Sequence, residues 1–218
     1  MKKAQLIHIC GDFHGEWDKL NAFINGKIRQ SKKMRTLAEA YAELEVIILQ
    51  GGDFGFWPHT DPTHSWFRPG DTTGDGGQYA IKNEVDFLKD GLVKIYWCDG
   101  NHENHDALDS LEAVHSDEAF IPVMPGVFFA TFGSVLTLLD GTTVMFCGGA
   151  ESSPLDIQAR TPGASWWPQE GIDHKDMARL PDTKITHVDW IISHTGPHAF
   201  KIVGKDVACW KNREPSKA

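Results

Sequence analysis

Short apolar runs that end in polar motifs shape the hydrophobic pattern of this chain. Three of the runs have the length of buried strands and cover residues 5–10, 45–50 and 92–98. A fourth run, over residues 188–193, leads directly to His194. Runs of this length, bounded by glycine-rich polar segments, are typical of buried strands. The pattern therefore predicts strands that each end at a polar motif.

Helical spacing and a second group of strands occupy much of the remaining chain. Apolar residues at helical spacing predict helices over residues 17–28, 31–44, 79–90 and 105–114. Shorter apolar runs predict strands over residues 127–131, 135–139 and 142–147. The Asp140-Gly141 pair predicts a two-residue hairpin between the last two strands. Strands that follow one another between β–α units favour two sheets over a single parallel sheet.

Length and composition are those of one folded domain. The chain has 218 residues, of which 41% are apolar and 23% are charged, so we predict a single α/β domain over residues 1–218. No apolar stretch reaches the roughly 20 residues of a membrane span. The N-terminal residues lack the apolar core and cleavage site of a signal peptide. We therefore expect a cytoplasmic protein with no membrane partner.

The cysteines and the net charge indicate which kinds of site and binding partner to expect. The four cysteines form no Cys-x-x-Cys pair, and all four are predicted to be structural. The net charge is −9, from 21 basic and 30 acidic residues. An acidic surface disfavours nonspecific binding to nucleic acid, because such binding needs Lys and Arg against phosphates. Part of the negative charge is expected to face divalent cations.

The polar motifs at the strand ends carry the candidate chemistry. Residues 11–15 are Gly-Asp-Phe-His-Gly, residues 51–55 are Gly-Gly-Asp-Phe-Gly, and residues 99–103 are Asp-Gly-Asn-His-Glu. In an open α/β sheet the C-terminal ends of the strands line one crevice, so these groups should converge. The converging set offers oxygen and imidazole donors without a thiolate: Asp12, His14, Asp53, Asn101, His102 and His194. This donor set suits Mn, Fe or Zn and predicts a metallohydrolase.

The residue types and their spacing indicate how two cations would be held. An Asp-x-His motif at a strand end can offer two ligands to one cation, and a single carboxylate, such as that of Asp53, can bridge two cations. Asn101 would add a neutral oxygen and His194 an imidazole. Two cations roughly 3.5–4 Å apart would clamp a phosphate and generate a bridging hydroxide for in-line attack. His102 would protonate the leaving alkoxide, because the pKa of histidine lies near working pH.

These three motifs and a fourth, Ser193-His194, resemble the successive signatures of the calcineurin-like metallophosphoesterases. The resemblance covers about residues 5–200. It implies a four-layer α/β/β/α sandwich of two mixed sheets with flanking helices, and a dinuclear metal site. It implies that Asp12, His14 and Asp53 bind the first metal ion. It also implies that Asp53, Asn101 and His194 bind the second, and that His102 assists departure of the leaving group.

The chain departs from the family pattern at two places. The protein Ser/Thr phosphatase branch continues its second motif with Asp-Arg-Gly, whereas Phe-Gly-Phe-Trp-Pro follows Asp53 here, so that branch is not expected. The family also ends its site with Gly-His-x-His after one more strand, and only His198 follows His194 here. We therefore expect a chain truncated before the last strand. Metal binding should be weak and catalysis impaired, unless His198 substitutes as a ligand.

Two further features each allow two interpretations. Residues 56–78 are rich in Pro, Gly, Thr and aromatic residues, and they form either a functional loop or a surface insertion. His59 and His64 within them are candidate ligand contacts or solvated side chains. Arg160 either binds a phosphate oxygen of the substrate or forms a surface salt bridge.

The tryptophans and the remaining histidines are assigned mainly to structure. Trp167 is expected to pack, whereas Trp166 either packs or stacks on a base. His8 lies in a strand and is predicted to be a core histidine. Four histidines lack a motif context and are expected to be solvated: His105, His115, His174 and His187.

The motifs favour a dinuclear metal-dependent phosphoesterase that hydrolyses a phosphate mono- or diester. Its expected substrate is a phosphorylated small molecule, a nucleotide or a phosphoprotein. One alternative is a catalytically impaired or dead phosphoesterase fold that acts as a binding or regulatory module, which the missing final motif favours. Another alternative is a mononuclear metal hydrolase of a non-phosphate substrate, which the ligands alone do not exclude.

Overall fold

The computed structural model describes residues 4–15, 20, 22–23, 26, 44–57, 93–181 and 187–196. Several predictions lie outside these residues: the helix over 79–90, nearly all of the helix over 31–44, the insertion beyond residue 57, and His59, His64, His198 and Cys209. Four positions are described in the predicted helix over 17–28, and these four are helical: 20, 22, 23 and 26.

Five strands form the first sheet, in the order β1-β2-β3-β5-β4. They are β1 (Ala4–Cys10), β2 (Leu44–Gly51), β3 (Val93–Cys98), β4 (Phe120–Met124) and β5 (Val127–Ala130). Neighbouring strands run parallel except for β4, which pairs antiparallel with β5. The first sheet is therefore mixed, and β1, β2 and β3 end at the same edge.

Three strands form the second sheet, in the order β6-β7-β8. They are β6 (Val135–Thr137), β7 (Thr143–Cys147) and β8 (Trp190–Ser193). Strand β7 pairs antiparallel with β6 and parallel with β8, so this sheet is mixed as well.

Three helices and a 3-10 turn complete the described fold. The described ones are α1 (His105–Val114), α2 (Pro154–Ala159) and α3 (His174–Ala178), with a 3-10 turn at Pro168–Glu170. Two mixed sheets with helices confirm the predicted α/β fold. Within the described ranges, no helix has the length and apolar character needed to cross a membrane.

Strand β2 is buried on both faces and separates two parts of the core. Val46 and Ile48 pack in a cluster with Leu108 of α1. Ile47 and Leu49 pack in a second cluster, with side chains from β7 and β8. Side chains alternate between the two faces of a strand, so burial of both faces needs an apolar residue at every position. This explains the unbroken apolar run in the sequence.

The hairpin between β6 and β7 differs from the predicted two-residue turn. The Leu138 N–H donates to the Thr142 carbonyl at 2.8 Å, and the Gly141 N–H donates to the Leu138 carbonyl at 3.0 Å. The loop therefore contains residues 139–141, with Gly141 at a φ of 90°. A three-residue hairpin loop places its last residue in the left-handed region, which glycine adopts without a steric penalty.

The ends of the strands bring the polar motifs together. The register pairs Cys10 with Gln50 and Gly51 with Cys98, so β1, β2 and β3 end within a few residues of one another. A Cβ on Gly51 would lie 3.2 Å from the carbonyl oxygen of Ser193, the last residue of β8. The two sheets therefore approach closely at this point, and the residue after Ser193 reaches the motifs of the first sheet.

Candidate metal centre

Three residues of the first two motifs have an unusual backbone conformation. Asp12, His14 and Asp53 have φ values of 44°, 45° and 53°, and they are the only non-glycine residues with positive φ in the described ranges. This conformation is uncommon for a residue with a Cβ and costs about 1–3 kcal/mol. Such strain clusters at functional sites, where the surrounding structure maintains it.

Backbone hydrogen bonds hold the first two motif loops against each other. The His14 N–H donates to the Asp53 carbonyl at 2.7 Å, and the Gly15 N–H donates to the Phe54 carbonyl at 3.0 Å. The buried ring of Phe13 packs against that of Phe54, with a centroid distance of 5.3 Å. The first motif is therefore fixed directly beside Asp53.

Asp12, His14 and Asp53 form a group that could hold a metal ion. One ligand atom from each residue lies within 4.8 Å of the others. Asp12 is exposed, His14 is half-buried and Asp53 is buried, so the group extends from the surface into the interior. The Nδ1 atom of His14 is buried and has no hydrogen-bond partner among the described residues. Two carboxylates and an imidazole fit a divalent transition-metal ion.

The Asp53 carboxylate lies between two histidines. Its Oδ2 is 3.5 Å from His14 Nε2, and its Oδ1 is 3.4 Å from His194 Nε2. Oδ1 also accepts the His102 N–H at 2.9 Å. Burial raises the pKa of Asp53, but the hydrogen bond and charge of His194, together with the charges of His102 and His14, lower it overall. The carboxylate therefore stays charged and offers a different oxygen to each histidine.

His194 is oriented by a backbone carbonyl. Its Nδ1 lies 2.9 Å from the Gly51 carbonyl oxygen. Because a carbonyl can only accept, Nδ1 carries a proton and Nε2 faces Asp53. Burial lowers the pKa of His194, but the neighbouring Asp53 raises it, to about 9. Gly52 leaves room for the ring, since a Cβ there would lie 2.5 Å from Nδ1.

Three consecutive carbonyls of the third motif each accept a hydrogen bond from a side chain. The pairs are His105 Nε2 with the Gly100 oxygen at 3.1 Å, Arg160 Nη2 with the Asn101 oxygen at 3.0 Å, and Trp57 Nε1 with the His102 oxygen at 2.9 Å. Carbonyls in a loop that leaves the sheet lose their ladder partners, and these donors replace them. The loop that carries the predicted ligand and the predicted acid is therefore held from three sides.

Glu103 links the third motif to the second. Its side chain is 0% exposed, and it accepts the Gly55 N–H at 3.1 Å and the Gly100 N–H at 2.7 Å. Burial raises the pKa of Glu103 to about 8, although both hydrogen bonds oppose this. The sequence pattern predicts no role for Glu103. Its position directly after the predicted acid in a strand-end motif is the one signal for it.

His105 is not solvated, contrary to the prediction. It is 4% exposed, and its ring lies 6.2 Å from that of Trp167. Burial lowers the pKa of His105 to about 4, although the hydrogen bond to Gly100 opposes this. The prediction fails because His105 begins α1 on its buried side, which spacing alone does not show. His174 and His187 are exposed as predicted, and His115 is half-buried.

Acid should destabilise the protein through His105. The unfolded histidine titrates near 6.5 and the folded one at about 4, so between these values the unfolded state binds more protons and stability falls as pH falls. From pH 7 to pH 5 the wild type should lose about 2 kcal/mol more unfolding free energy than His105→Gln. Urea unfolding at each pH measures the difference. His174→Gln is the surface control, and parallel curves for wild type and His105→Gln would contradict the effect.

His102 lies next to the Asp12–His14–Asp53 group. Its ring is half-buried and meets the His14 ring edge-on, with a centroid distance of 5.2 Å. Burial lowers the pKa of His102, against the charge of Asp53, which raises it. The predicted leaving-group acid and the first predicted metal group are therefore neighbours.

Four other side chains singled out in the sequence are those of Arg160, Trp167, Trp166 and His8. Arg160 contacts the third motif, and its binding to a substrate phosphate stays a prediction. Trp167 is buried against Trp57, with ring centroids 5.5 Å apart, which confirms the packing predicted for it. Trp166 is half-buried. His8 is half-buried.

A family comparison identifies this arrangement. The family model for calcineurin-like phosphoesterases matches residues 6–210. The chain belongs to the calcineurin-like phosphoesterase family. The match includes all four motifs and confirms the resemblance inferred from them. A comparison with curated proteins finds no match.

Membership of the calcineurin-like phosphoesterases supports metal-dependent hydrolysis of phosphoesters. The Asp12–His14–Asp53 group supports a metal ion in this chain. His194 extends the group from the second sheet, through its contact with Asp53. The oxygen and imidazole donors of this chain therefore fit the divalent ions that the family implies.

Proposed function

We propose that the chain is a dinuclear metal-dependent phosphoesterase that hydrolyses a phosphate mono- or diester. The observation that carries this proposal is the placement of Asp53. One of its oxygens faces His14 and the other faces His194, at 3.5 and 3.4 Å. A carboxylate held between two imidazoles is suited to share two cations, because each oxygen can bind one of them.

The proposed ligands divide into two sets that share Asp53. Asp12, His14 and Asp53 would hold the first cation, and Asp53, Asn101 and His194 the second. When bound, two such ions supply positive charge to phosphate oxygens and lower the pKa of water. Mn, Fe and Zn all suit this donor set.

His102 is proposed to donate a proton to the leaving-group oxygen. Its backbone is fixed on both sides, because its N–H donates to Asp53 and its carbonyl accepts from Trp57. A proton donor must be positioned before its pKa matters, and this backbone is positioned by residues of the second motif and its flank. Protonation should matter most for leaving groups that depart poorly as anions.

The substrate class follows from the chemistry and the charge of the chain. We propose a phosphorylated small molecule, a nucleotide or a phosphoprotein as substrate. The net charge of −9 disfavours nonspecific contact with nucleic acid. A cytoplasmic location is supported by Cys10, Cys98 and Cys147, which are free thiols.

Equilibrium titration with Mn²⁺, followed by ester assays, tests the proposed function. At saturating Mn²⁺ the wild type should take up two ions per chain and hydrolyse nitrophenyl phosphate esters faster than nitrophenyl acetate. His102→Gln should keep both ions and lose rate mainly on alkyl phosphates, because nitrophenolate leaves without a proton. Equal losses on both ester types would contradict the acid role. Ion uptake without hydrolysis would instead favour a binding module.

A further inference from the structure

The segment between β7 and the 3-10 turn, which includes α2, contacts both the backbone and the side chain of Asn101. Arg160 Nη2 donates to the Asn101 carbonyl at 3.0 Å, and Asn101 Nδ2 donates to Ser152 Oγ at 3.0 Å. Arg160 Nη1 also donates to Ser152 Oγ, at 2.8 Å. The three residues therefore close a ring of hydrogen bonds, although Ser152 and Arg160 lie 51 and 59 positions after Asn101 in the sequence.

Glu170 fixes the other side of this ring. It accepts the Ser152 N–H at 2.6 Å, the Trp166 Nε1–H at 3.0 Å, and Arg160 Nη1 at 3.5 Å. The side chains of Arg160 and Glu170 are only 11% and 3% exposed. A buried ion pair adds little net stability, but it defines one geometry, because each charge must keep its partner. Ser152 and Arg160 therefore have little freedom to move.

We propose that Ser152, Arg160 and Glu170 form a positioning network for Asn101. With Nδ2 on Ser152, the side-chain oxygen of Asn101 makes no hydrogen bond among the described residues and is free for the second cation. Hydrogen bonds that orient a metal ligand in this way tune the affinity of the site. This inference rests on the proposed function, since it assumes that Asn101 is a ligand.

The network assigns Arg160 a role different from phosphate binding. Its Nη1 donates to Ser152 and Glu170, and its Nη2 donates to Asn101. An arginine that binds a phosphate bidentately must present two parallel N–H groups outward. Here the outer nitrogens are directed at three protein acceptors, so Arg160 acts through Asn101.

Removal of the Ser152 hydroxyl tests the network. In calorimetric titrations with Mn²⁺ alone, Ser152→Ala should lower the affinity for one of the two ions by about 10–100-fold. The affinity for the other ion should not change. Ser153→Ala is the matched control, because that hydroxyl caps α2 and does not touch Asn101. Equal effects of the two substitutions, or an equal loss of affinity for both ions, would overturn the inference. Arg160→Lys should reproduce the selective loss. A raised KM for phosphate esters with unchanged ion affinity would instead assign Arg160 to the phosphate.

The amide protons of Asn101 provide a second measurement that needs no metal ion. In ¹⁵N-labelled, metal-free protein, the side-chain NH₂ of Asn101 should exchange slowly with water, and in Ser152→Ala it should exchange rapidly. Rapid exchange in the wild type would overturn the proposed orientation. Slow exchange without uptake of a second ion would leave the network standing and contradict the dinuclear function. The two failures are therefore distinguishable.

Discussion

Asp53→Asn should remove cation binding at both positions and nearly all phosphoester hydrolysis. The substitution takes away the one charge that lies between His14 and His194. Loss of a hydrogen bond that orients a metal ligand costs about 10–100-fold in metal affinity or activity. Loss of a ligand that two ions share should cost more than that. We expect the rate to fall roughly a thousandfold or more.

Asparagine keeps the shape of the side chain, so the metal-free fold should persist. Its side-chain oxygen can still accept the His102 N–H that Asp53 Oδ1 accepts in the wild type. Mn²⁺ titration, ester hydrolysis and thermal unfolding are measured on the same preparation. Asp117→Asn, at an exposed position, is the control and should change none of them. If Asp53→Asn still took up two ions with wild-type affinity, the proposed bridging role would be wrong.

The strand core was predictable because burial of both faces leaves a clear pattern. Strands β1, β2 and β3 appear in the sequence as apolar runs, and each lies within one residue of its predicted position. The pattern misses β4, which contains Pro122 and has an exposed position in its centre. It also misses α2, whose six residues include no buried side chain. A helix without a buried face carries no periodic signal.

The candidate ligands were predictable from their positions at strand ends, whereas their supports were not. Asp53 lies two residues after β2 and His194 directly follows β8, and parallel strands deliver such residues to one edge. The contacts that orient them come from elsewhere in the chain. His105 and Arg160 act on the third motif through the tertiary fold, and only the structure shows which carbonyl each one meets.

The strained backbone of the ligand residues explains why such supports are needed. Asp12, His14 and Asp53 each adopt a conformation that an isolated loop would leave. The hydrogen bond from His14 to the Asp53 carbonyl links two of these strained positions to each other. The strain is therefore maintained by contacts between motifs. Weakening a contact between motifs should therefore lower both the free energy of unfolding and the affinity for ions.

Glu103→Ala should produce the largest loss of stability at the site. The substitution leaves the N–H groups of Gly55 and Gly100 without their acceptor in a fully buried place. Each buried N–H left unpaired costs about 1–3 kcal/mol, so the free energy of unfolding should fall by about 2–6 kcal/mol. Glu103→Gln should lose about half as much, since its amide oxygen can still accept one of the two bonds.

Urea unfolding of the metal-free protein measures this loss, with the slope against urea checked for constancy. Glu118→Ala removes an exposed carboxylate and should stay within about 0.5 kcal/mol of the wild type. Hydrogen exchange locates the effect, because the Gly55 and Gly100 amides should lose protection before the strands do. A loss below about 1 kcal/mol in Glu103→Ala would mean that the loops keep their shape without this link. A large loss together with weakened ion binding would instead show that Glu103 joins the second and third motifs into one site.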